Sequence, residues 1–338
     1  MKQDSLGRWV VPLLAAVLAL AVGLSACRHD DASPERTKVR LSEVTHSVFY
    51  APQYAAMELG YFAEAGIELE LTSGEGADKV MTGVISGAID IGFSGPEAAI
   101  YAYNEGKADF AKVFAQVTAR DGSFLLGREP EPDFDWADLA GSHVLPGRKG
   151  GVPYMALEYV LKSAGLDPDA DLLMDNSIQF SAMTGAFLGG TGDYVTVFEP
   201  TASTIVAEGR GYILAAVGET AGEIPYTAYY ALGSYMEKNA GLIGRFTEAV
   251  YKGQQYVAEH SAEEIAALIA PQFPDADLTI MTQAIQNYKD IGAYAETPVM
   301  SEEAFERLQT VMASAGELAK PAPYEDLVDN SFALAAVK

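Results

Sequence analysis

The sequence predicts a two-lobed α/β protein in which each lobe is a doubly wound sheet covered by helices. At 338 residues, 49% of them hydrophobic, the chain exceeds the roughly 250–300 residues at which a single core stops growing, so two cores are expected. Strand-like and helix-like runs alternate along it, which favours parallel sheets with helical crossovers. After residue 236 the pattern is mostly helical.

A repeated segment supports the division into two lobes. Residues 81–100 are MTGVISGAIDIGFSGPEAAI and residues 183–203 are MTGAFLGGTGDYVTVFEPTAS. We interpret each copy as the third strand of one lobe with the helix leading into it, although chance similarity within a common α/β pattern is an alternative. Ligands of open parallel sheets bind beyond the carboxyl ends of the strands, so segments 94–97 and 198–201 are predicted to face each other across a cleft.

The amino terminus has the pattern of an export signal. Two basic residues, Lys2 and Arg8, precede the apolar run Trp9 to Val22, and Leu-Ser-Ala-Cys follows at positions 24–27. This order is similar to the bacterial lipoprotein signal, so we expect residues 1–26 to be removed. A single membrane-spanning anchor is the alternative, but the run is shorter than the about 20 residues that spanning requires.

The sequence also predicts where the mature protein is held. Cys27 is the only cysteine, so we expect it to carry lipid and the fold to hold together without a disulfide. The polar segment 27–37, which contains Pro34, is predicted to be a flexible tether to the extracytoplasmic face of the cell membrane.

The charge of the chain excludes two classes of partner. A formal net charge of -25 argues against nucleic acid, because binding to phosphates needs clustered Lys and Arg. The same charge argues against adhesion to an anionic membrane surface.

The order of the elements follows from periodicity and turn signals. For the first part of lobe 1, residues 38–128, the predicted strands are 38–44, 67–72, 89–93 and 110–118, and the predicted helices are 52–59, 77–85 and 97–103. For lobe 2, residues 129–225, the predicted strands are 143–145, one near Leu172 and 194–198, and the predicted helices are 154–163 and 182–188. Residues 226–338 are predicted to return to lobe 1 as a hinge strand followed by helices, one of which begins with the capping box Ser261-Ala-Glu-Glu264.

One long segment resembles a known family. Residues 48–71, VFYAPQYAAMELGYFAEAGIELEL, resemble the start of the solute-binding proteins for nitrate, taurine, alkanesulfonates and thiamine pyrimidine precursors, with Gly60-Tyr61-Phe62 as the most specific part. The segments SGAIDIGFSG and GDYVTVFEP also match family positions. The resemblance implies a type II periplasmic-binding-protein fold of an ABC importer, with hinge crossings near 123–128 and 226–232 and a solute enclosed between the lobes. It also implies delivery to a permease with a separate ATPase, and this chain has no G-x-x-x-x-G-K-[ST] loop.

Aromatic residues near the first helix are candidates for one wall of the ligand site. Tyr50 and Tyr54 are four residues apart, so both can lie on one helix face, with Phe49 beside them. Ser47 and Tyr226, the latter at the return strand, are also predicted ligand contacts. Packing into the core is the alternative, chiefly for Tyr54.

Two turns are candidates for holding a polar group of the ligand. Glu75 and Gly76 belong to a Ser-Gly-Glu-Gly turn before a helix, where backbone amides favour an anionic or electron-rich group. The matching turn of lobe 2 contains Arg148, Gly150 and Gly151, and its basic residues can meet a carboxylate, sulfonate or phosphate. A solvated basic turn is the alternative there.

The ends of the repeated strands favour a different ligand chemistry. The predicted contacts at these ends are Ser94, Glu97, Phe198, Glu199 and Thr201. Carboxylates repel nitrate or a sulfonate, whereas an aminopyrimidine donates its exocyclic amine to them and stacks on Tyr or Phe. Either glutamate could instead cap the helix that follows it. We therefore expect a small aromatic or amine-bearing heterocycle, with a sulfonate-type anion as the alternative.

Other classes of function are less well supported. The fold resembles that of a eukaryotic pyrimidine synthase, but that enzyme's cysteine-rich motif is absent, and the His residues at 29, 46, 143 and 260 are dispersed. Only His46 falls near the predicted cleft. No cluster of metal ligands is visible in the sequence, so we expect a binding protein without cofactor or metal. We also expect it to be a monomer. A sensor ectodomain that serves a receptor instead of a permease remains an alternative.

Overall fold

The computed structural model describes residues 36–338, and residues 37–338 form one unit. The predicted signal, Cys27 and nearly all of the tether lie outside the described residues. The strands are β1 (Thr37–Glu43), β2 (Ile67–Ser73), β3 (Ile91–Ser94), β4 (Ala111–Thr118), β5 (Ser123–Gly127), β6 (His143–Leu145), β7 (Leu173–Met174), β8 (Tyr194–Phe198), β9 (Tyr212–Ala216) and β10 (Thr227–Leu232).

Helices cover both sheets and make up most of the carboxyl-terminal third. They are α1 (Ala51–Glu58), α2 (Tyr61–Glu64), α3 (Ala77–Ile85), α4 (Glu97–Asn104), α5 (Val152–Ser163), α6 (Phe180–Leu188), α7 (Thr201–Ala207), α8 (Val217–Ala221), α9 (Gly233–Lys238), α10 (Ala240–Glu259), α11 (Ala262–Ile269), α12 (Leu278–Asp290), α13 (Glu302–Ser314), α14 (Tyr324–Leu327) and α15 (Ser331–Ala336). Short 3₁₀ helices span Val48–Tyr50, Trp136–Leu139 and Ala270–Gln272. None of the helices described is long and apolar enough to cross a membrane.

The two sheets have the same plan. The first has the order β2-β1-β3-β10-β4 and the second β7-β6-β8-β5-β9. In each sheet the third strand pairs parallel with its neighbour on one side, β1 or β6, and antiparallel with its neighbour on the other, β10 or β5. The repeated segments therefore occupy equivalent positions, β3 and β8, each preceded by its helix. The predicted two-lobed α/β class and the interpretation of the repeat are confirmed.

Strands β5 and β10 depart from the parallel pairing that the alternation of strands and helices favours. Both run antiparallel because each enters its sheet from the other lobe rather than through a helical crossover. The segments expected as hinge crossings contain these two strands, and the residues that pass between the sheets are 119–122 and 222–226. Ser123 pairs with Phe198 and Ala228 with Ser94, so both passages lie beside the ends of the central strands.

Local signals in the sequence explain several boundaries. The Ser261 hydroxyl accepts from the amide of Glu264 and the Glu264 carboxylate accepts from the amide of Ser261, which confirms the predicted capping box at α11. Strands β6 and β8 and helix α3 have the predicted bounds. Gly60, at φ 76°, ends α1 in the left-handed region that glycine adopts without strain.

The carboxyl-terminal helices contact elements of both sheets. Helix α10 packs against α1, and a Cβ at Gly253 would lie 2.1 Å from the carbonyl oxygen of Pro52, so only glycine permits this close approach. Helix α12 packs against α7, and α13 packs against α5, both of which belong to the second sheet's lobe. This region therefore contacts lobe 2 as well as completing lobe 1.

Candidate ligand-binding site between the sheets

Five aromatic rings meet where the two sheets approach each other. The ring of Phe49 lies 4.6 Å from that of Tyr288, 5.5 Å from Tyr226, 5.8 Å from Tyr50 and 6.4 Å from Phe198, measured between centroids. We call these five residues the aromatic wall. Four of them were predicted ligand contacts, and they come from both lobes and from a passage between them. Tyr288, on α12, was not predicted.

The backbone around Phe49 explains how its ring reaches this position. Ser47 precedes the 3₁₀ helix Val48–Tyr50, and its hydroxyl accepts from the Phe49 amide at 3.2 Å. A Cβ at Gly122 would lie 2.7 Å from the Phe49 ring, so the passage 119–122 approaches the ring face closely because it carries glycine there. The Tyr294 hydroxyl donates to the Val48 carbonyl oxygen at 3.1 Å.

Tyr54 lies outside the aromatic wall, in a buried polar cluster. Its hydroxyl donates to Glu43 at 2.7 Å, and Gln53 donates to the same carboxylate oxygen at 2.8 Å. The packing alternative therefore describes Tyr54. His46 joins this cluster, with Nδ1 2.8 Å from Glu43 and Nε2 2.9 Å from the carbonyl oxygen of Gln272, so both ring nitrogens have structural partners.

Glu97 is a buried carboxylate with one unpartnered oxygen. It is the first residue of α4 and is 8% exposed, and its Oε2 has no hydrogen-bond partner within residues 36–338. The carboxylate folds over Gly95, where a Cβ would lie 1.9 Å from Oε2. Burial raises the pKa of Glu97 to about 7, opposed by its own amide and by the charge of Arg148. The neighbouring Ser94 hydroxyl pairs with the Tyr230 hydroxyl at 2.6 Å.

Glu199 is equally buried but has partners on both oxygens. Its Oε2 accepts from the Ser203 amide at 2.9 Å, and its Oε1 accepts from the Ser203 hydroxyl at 2.9 Å and from the Asn287 amide group. Burial raises the pKa of Glu199, and these bonds oppose the shift. Glu199 therefore caps α7, which begins at the half-buried Thr201, so the capping alternative describes this glutamate. Its amide donates to the Tyr288 hydroxyl at 3.1 Å.

Asp121 is a buried carboxylate that sequence reasoning missed. It lies in the passage 119–122 with no exposed surface, and its Oδ1 accepts from the amide of Ser123 at 2.7 Å and from the Ser123 hydroxyl. Its Oδ2 has no partner among the residues described. Burial raises the pKa of Asp121 to about 6, opposed by Ser123. The only sequence feature at this position is Asp-Gly-Ser, which is typical of an ordinary turn before a strand and does not by itself indicate a ligand contact.

The two predicted glycine turns precede the helices α3 and α5. Glu75 is exposed, with φ 54° and a distance of 4.0 Å to the ammonium group of Lys79, and Gly76, at φ 146°, precedes α3. Arg148 is exposed in the turn before α5, whose N-cap is Gly151. Its charge reaches Glu97, because it lowers that residue's pKa.

Gly150, in the same lobe 2 turn as Arg148 and Gly151, lies close to the carboxyl-terminal region. Gly150 has φ 80°, and a Cβ there would lie 3.6 Å from the Glu317 carboxylate. The left-handed backbone and this carboxylate explain the glycine without a ligand contact.

The wall and its carboxylates define what the region can bind chemically. Burial raises the pKa of the Tyr226 hydroxyl, and the charges of Asp121 and Glu97 add to the shift, so both carboxylates act on the same ring. Carboxylate oxygens accept N–H donors, and aromatic rings stack on flat heterocycles. In the part of the chain that the structure describes, no group of three or more His, Cys, Asp or Glu is placed to hold a metal.

Comparison with known sequences relates the chain to solute-binding proteins. Residues 32–270 match the model of the NMT1-like family. The protein YtlA of Bacillus subtilis is 41% identical over 330 residues, covering 97% of this chain and 98% of YtlA. The formylaminopyrimidine-binding protein of Halalkalibacterium halodurans is 25% identical over 331 residues, covering 88% of this chain and 97% of that protein.

Solved structures share the fold at lower identity. The alkanesulfonate-binding protein SsuA of Xanthomonas axonopodis pv. citri, bound to MOPS, has a TM-score of 0.69 and 15% identity, covering 88% of this chain and 99% of SsuA. The ligand-binding component of an ABC-type import system of Staphylococcus aureus has a TM-score of 0.70 and 16% identity, covering 89% of this chain and 99% of that component. These likenesses establish the periplasmic-binding-protein fold.

Proposed function

The chain belongs to the NMT1-like family of ABC-type solute-binding proteins, and from this membership we propose that it captures a small amine-bearing aromatic solute, such as an aminopyrimidine, for import. The solute is bound unchanged and delivered to a membrane permease with a separate ATPase. The formylaminopyrimidine-binding relative, which aligns over most of both chains, supports a pyrimidine.

The observation that carries this proposal is the placement of buried acid around the aromatic wall. Glu97 and Asp121 each keep an unpartnered oxygen although they are 8% and 0% exposed. Burying such an oxygen is unfavourable unless a donor satisfies it, and an exocyclic amine is such a donor. A nitrate or sulfonate adds a further negative charge to the same region. The charge of Arg148 acts on Glu97, but Arg148 is exposed, so solvent weakens its attraction for a buried anion.

Capture proceeds by closure of the two lobes. Phe49 and Tyr50 are each only 2% exposed, so a solute reaches the wall only when the lobes part at the passages 119–122 and 222–226. Contacts from both lobes then favour the closed state, and the solute shifts the balance by its difference in affinity for the two states. A useful scavenging affinity is micromolar or tighter, about -8 kcal/mol.

The membrane attachment is a separate part of the proposal. Lipid on Cys27 holds the protein at the extracytoplasmic face of the membrane, and a tether formed by residues 27–37 allows the monomer to reach its permease. Metabolic labelling with a fatty acid, compared between the wild type and Cys27→Ala, tests it. Equal labelling of the two proteins would overturn this part.

A ligand panel tests the function itself. Purified protein lacking residues 1–26 is heated with formylaminopyrimidine, cytosine, taurine, methanesulfonate or nitrate, and hits are titrated calorimetrically. We expect formylaminopyrimidine to raise the melting temperature and bind at micromolar Kd or tighter, because a ligand at a hundred times its Kd stabilises by about 2.7 kcal/mol. Stabilisation by a sulfonate or nitrate, with no response to either pyrimidine, would overturn the proposed solute class.

A further inference from the structure

Asp121 lies in a position that the protein holds rigidly. A Cβ on Gly218 would lie 2.0 Å from the Asp121 carbonyl oxygen, and one on Gly122 would lie 2.7 Å from the Phe49 ring, so glycine on either side lets the passage 119–122 pack tightly. The Arg120 guanidinium donates to the Gly218 carbonyl oxygen at 3.4 Å. The carboxylate of Asp121 is therefore fixed beside the aromatic wall by backbone packing.

A second turn of the same kind shows that turn formation uses only one oxygen of Asp121. In Asp175-Asn176-Ser177, as in Asp121-Gly122-Ser123, Oδ1 of the aspartate accepts from both the amide and the hydroxyl of the serine two residues later. At Asp175 the other oxygen, Oδ2, lies 3.2 Å from His143 Nε2. At Asp121 the other oxygen is buried, and among residues 36–338 it has no partner.

We infer that Asp121 is a further specificity-determining residue, whose free Oδ2 accepts an N–H group of the bound solute. The inference rests on the proposed function. Glu97 is a second buried carboxylate with an unpartnered oxygen, and its charge acts on Tyr226 as that of Asp121 does. The site therefore has two acceptors, and the preferred solute is an aromatic ring with two N–H donor groups. A ring with one donor leaves one buried carboxylate without a partner. A site of this kind rejects such a ring strongly, because burying the unpaired acceptor is unfavourable.

The test compares two variants by calorimetric titration with formylaminopyrimidine at pH 7.5. In Asp121→Asn the amide oxygen keeps the bonds to Ser123, so the NH₂ group takes the place of Oδ2 and meets the solute donor to donor. We expect Kd to rise at least about tenfold. Asp175→Asn makes the same change in the other turn of this kind, Asp175-Asn176-Ser177, and should leave Kd unchanged.

The outcomes are distinguishable. Unchanged Kd in Asp121→Asn, with the wild type binding the probe, overturns the inference and leaves the function standing. No binding of either pyrimidine to the wild type overturns the function and this inference with it. If Asp121→Asn does not fold, a crystal structure of the wild type with formylaminopyrimidine decides: a probe nitrogen within hydrogen-bond distance of Oδ2 supports the inference, and a nonpolar or remote neighbour overturns it.

Discussion

The ends of β3 and β8 occupy equivalent places in the two sheets, yet their glutamates have opposite surroundings. Both strands lead through a proline N-cap into a helix, α4 after Pro96 and α7 after Pro200. Glu97 follows its proline and keeps a free oxygen, whereas Glu199 precedes its proline and bonds the third residue of the helix. A shift of two residues therefore decides whether a carboxylate serves the fold or remains available to a ligand.

The residues that align across the two turns explain the difference. Gly95 occupies the place of Glu199, and Ala99 the place of Ser203. Lobe 1 therefore has neither the carboxylate that caps nor the hydroxyl that supports it. Because Gly95 leaves room, the Glu97 carboxylate folds over it, and the amide that opposes its raised pKa is its own, whereas the Glu199 carboxylate accepts from the amide of the third helix residue.

The largest expected effect is the dependence of stability on pH at Glu97. Because burial raises the pKa of Glu97 from 4.5 to about 7, the folded protein holds a proton that the unfolded chain releases. The free energy of unfolding therefore falls as pH rises from about 4.5 to 7 and stays reduced above that range. Glu97→Gln removes this loss, so at pH 8 the variant should be more stable than the wild type by up to about 3 kcal/mol. Urea unfolding at pH 4 and pH 8 measures it.

The two pH values provide an internal control. At pH 4 Glu97 is protonated in the folded chain and mostly protonated in the unfolded chain, so the variant and the wild type should have nearly equal free energies of unfolding. Asp121 titrates in both proteins and cancels from the difference. A gain that is the same at pH 4 and pH 8 would contradict an ionisable, unsatisfied Glu97.

Substitution of Glu199 should destabilise the fold, whereas Glu97→Gln should stabilise it at pH 8. Glu199→Ala removes the cap on the Ser203 amide and the bond from Asn287, so we expect a loss of about 2–3 kcal/mol. Chemical unfolding at pH 7 measures it. Glu208→Ala, at the exposed end of the same helix, is the matched control and should cost less than about 0.5 kcal/mol.

The effect of these variants on ligand binding sharpens the comparison. Where Glu199→Ala remains folded, its Kd for formylaminopyrimidine should change less than that of Glu97→Gln. Wild-type stability in Glu199→Ala, together with a larger loss of binding than in Glu97→Gln, would reverse the roles assigned to the two glutamates.

The fold could be predicted from sequence because its signals are local and repeated. Strand and helix periodicity located β6, β8 and α3 with their bounds, and the two similar segments indicated equivalent strands. The antiparallel direction of β5 and β10 could not be predicted in the same way. It depends on which sheet a strand joins after a passage of a few residues, and no local pattern encodes that choice.

The site was predictable only as far as strand ends can be located. Phe49, Tyr50, Phe198 and Tyr226 converge because the ends of the central strands and the passages meet there. Tyr288 reaches the wall from a helix about ninety residues beyond β8, so its contact is set by tertiary packing. The difference between Glu97 and Glu199 also required side-chain geometry, because the sequence shows an acid beside a proline in both turns.

The smallest expected effect isolates the hydroxyl that lobe 2 has and lobe 1 lacks. Ser203→Ala removes one hydrogen bond to Glu199 Oε1 and keeps the amide bond to Oε2, so we expect a loss of about 1 kcal/mol. A double-mutant cycle with Glu199→Ala measures the interaction energy, which should be about 0.5–1.5 kcal/mol because the hydroxyl stabilises the fold only while the carboxylate is present. Strict additivity would contradict the bond. A measured interaction would mean that lobe 2 fixes its glutamate partly through a serine hydroxyl, and the equivalent position of lobe 1, Ala99, has no hydroxyl to do the same.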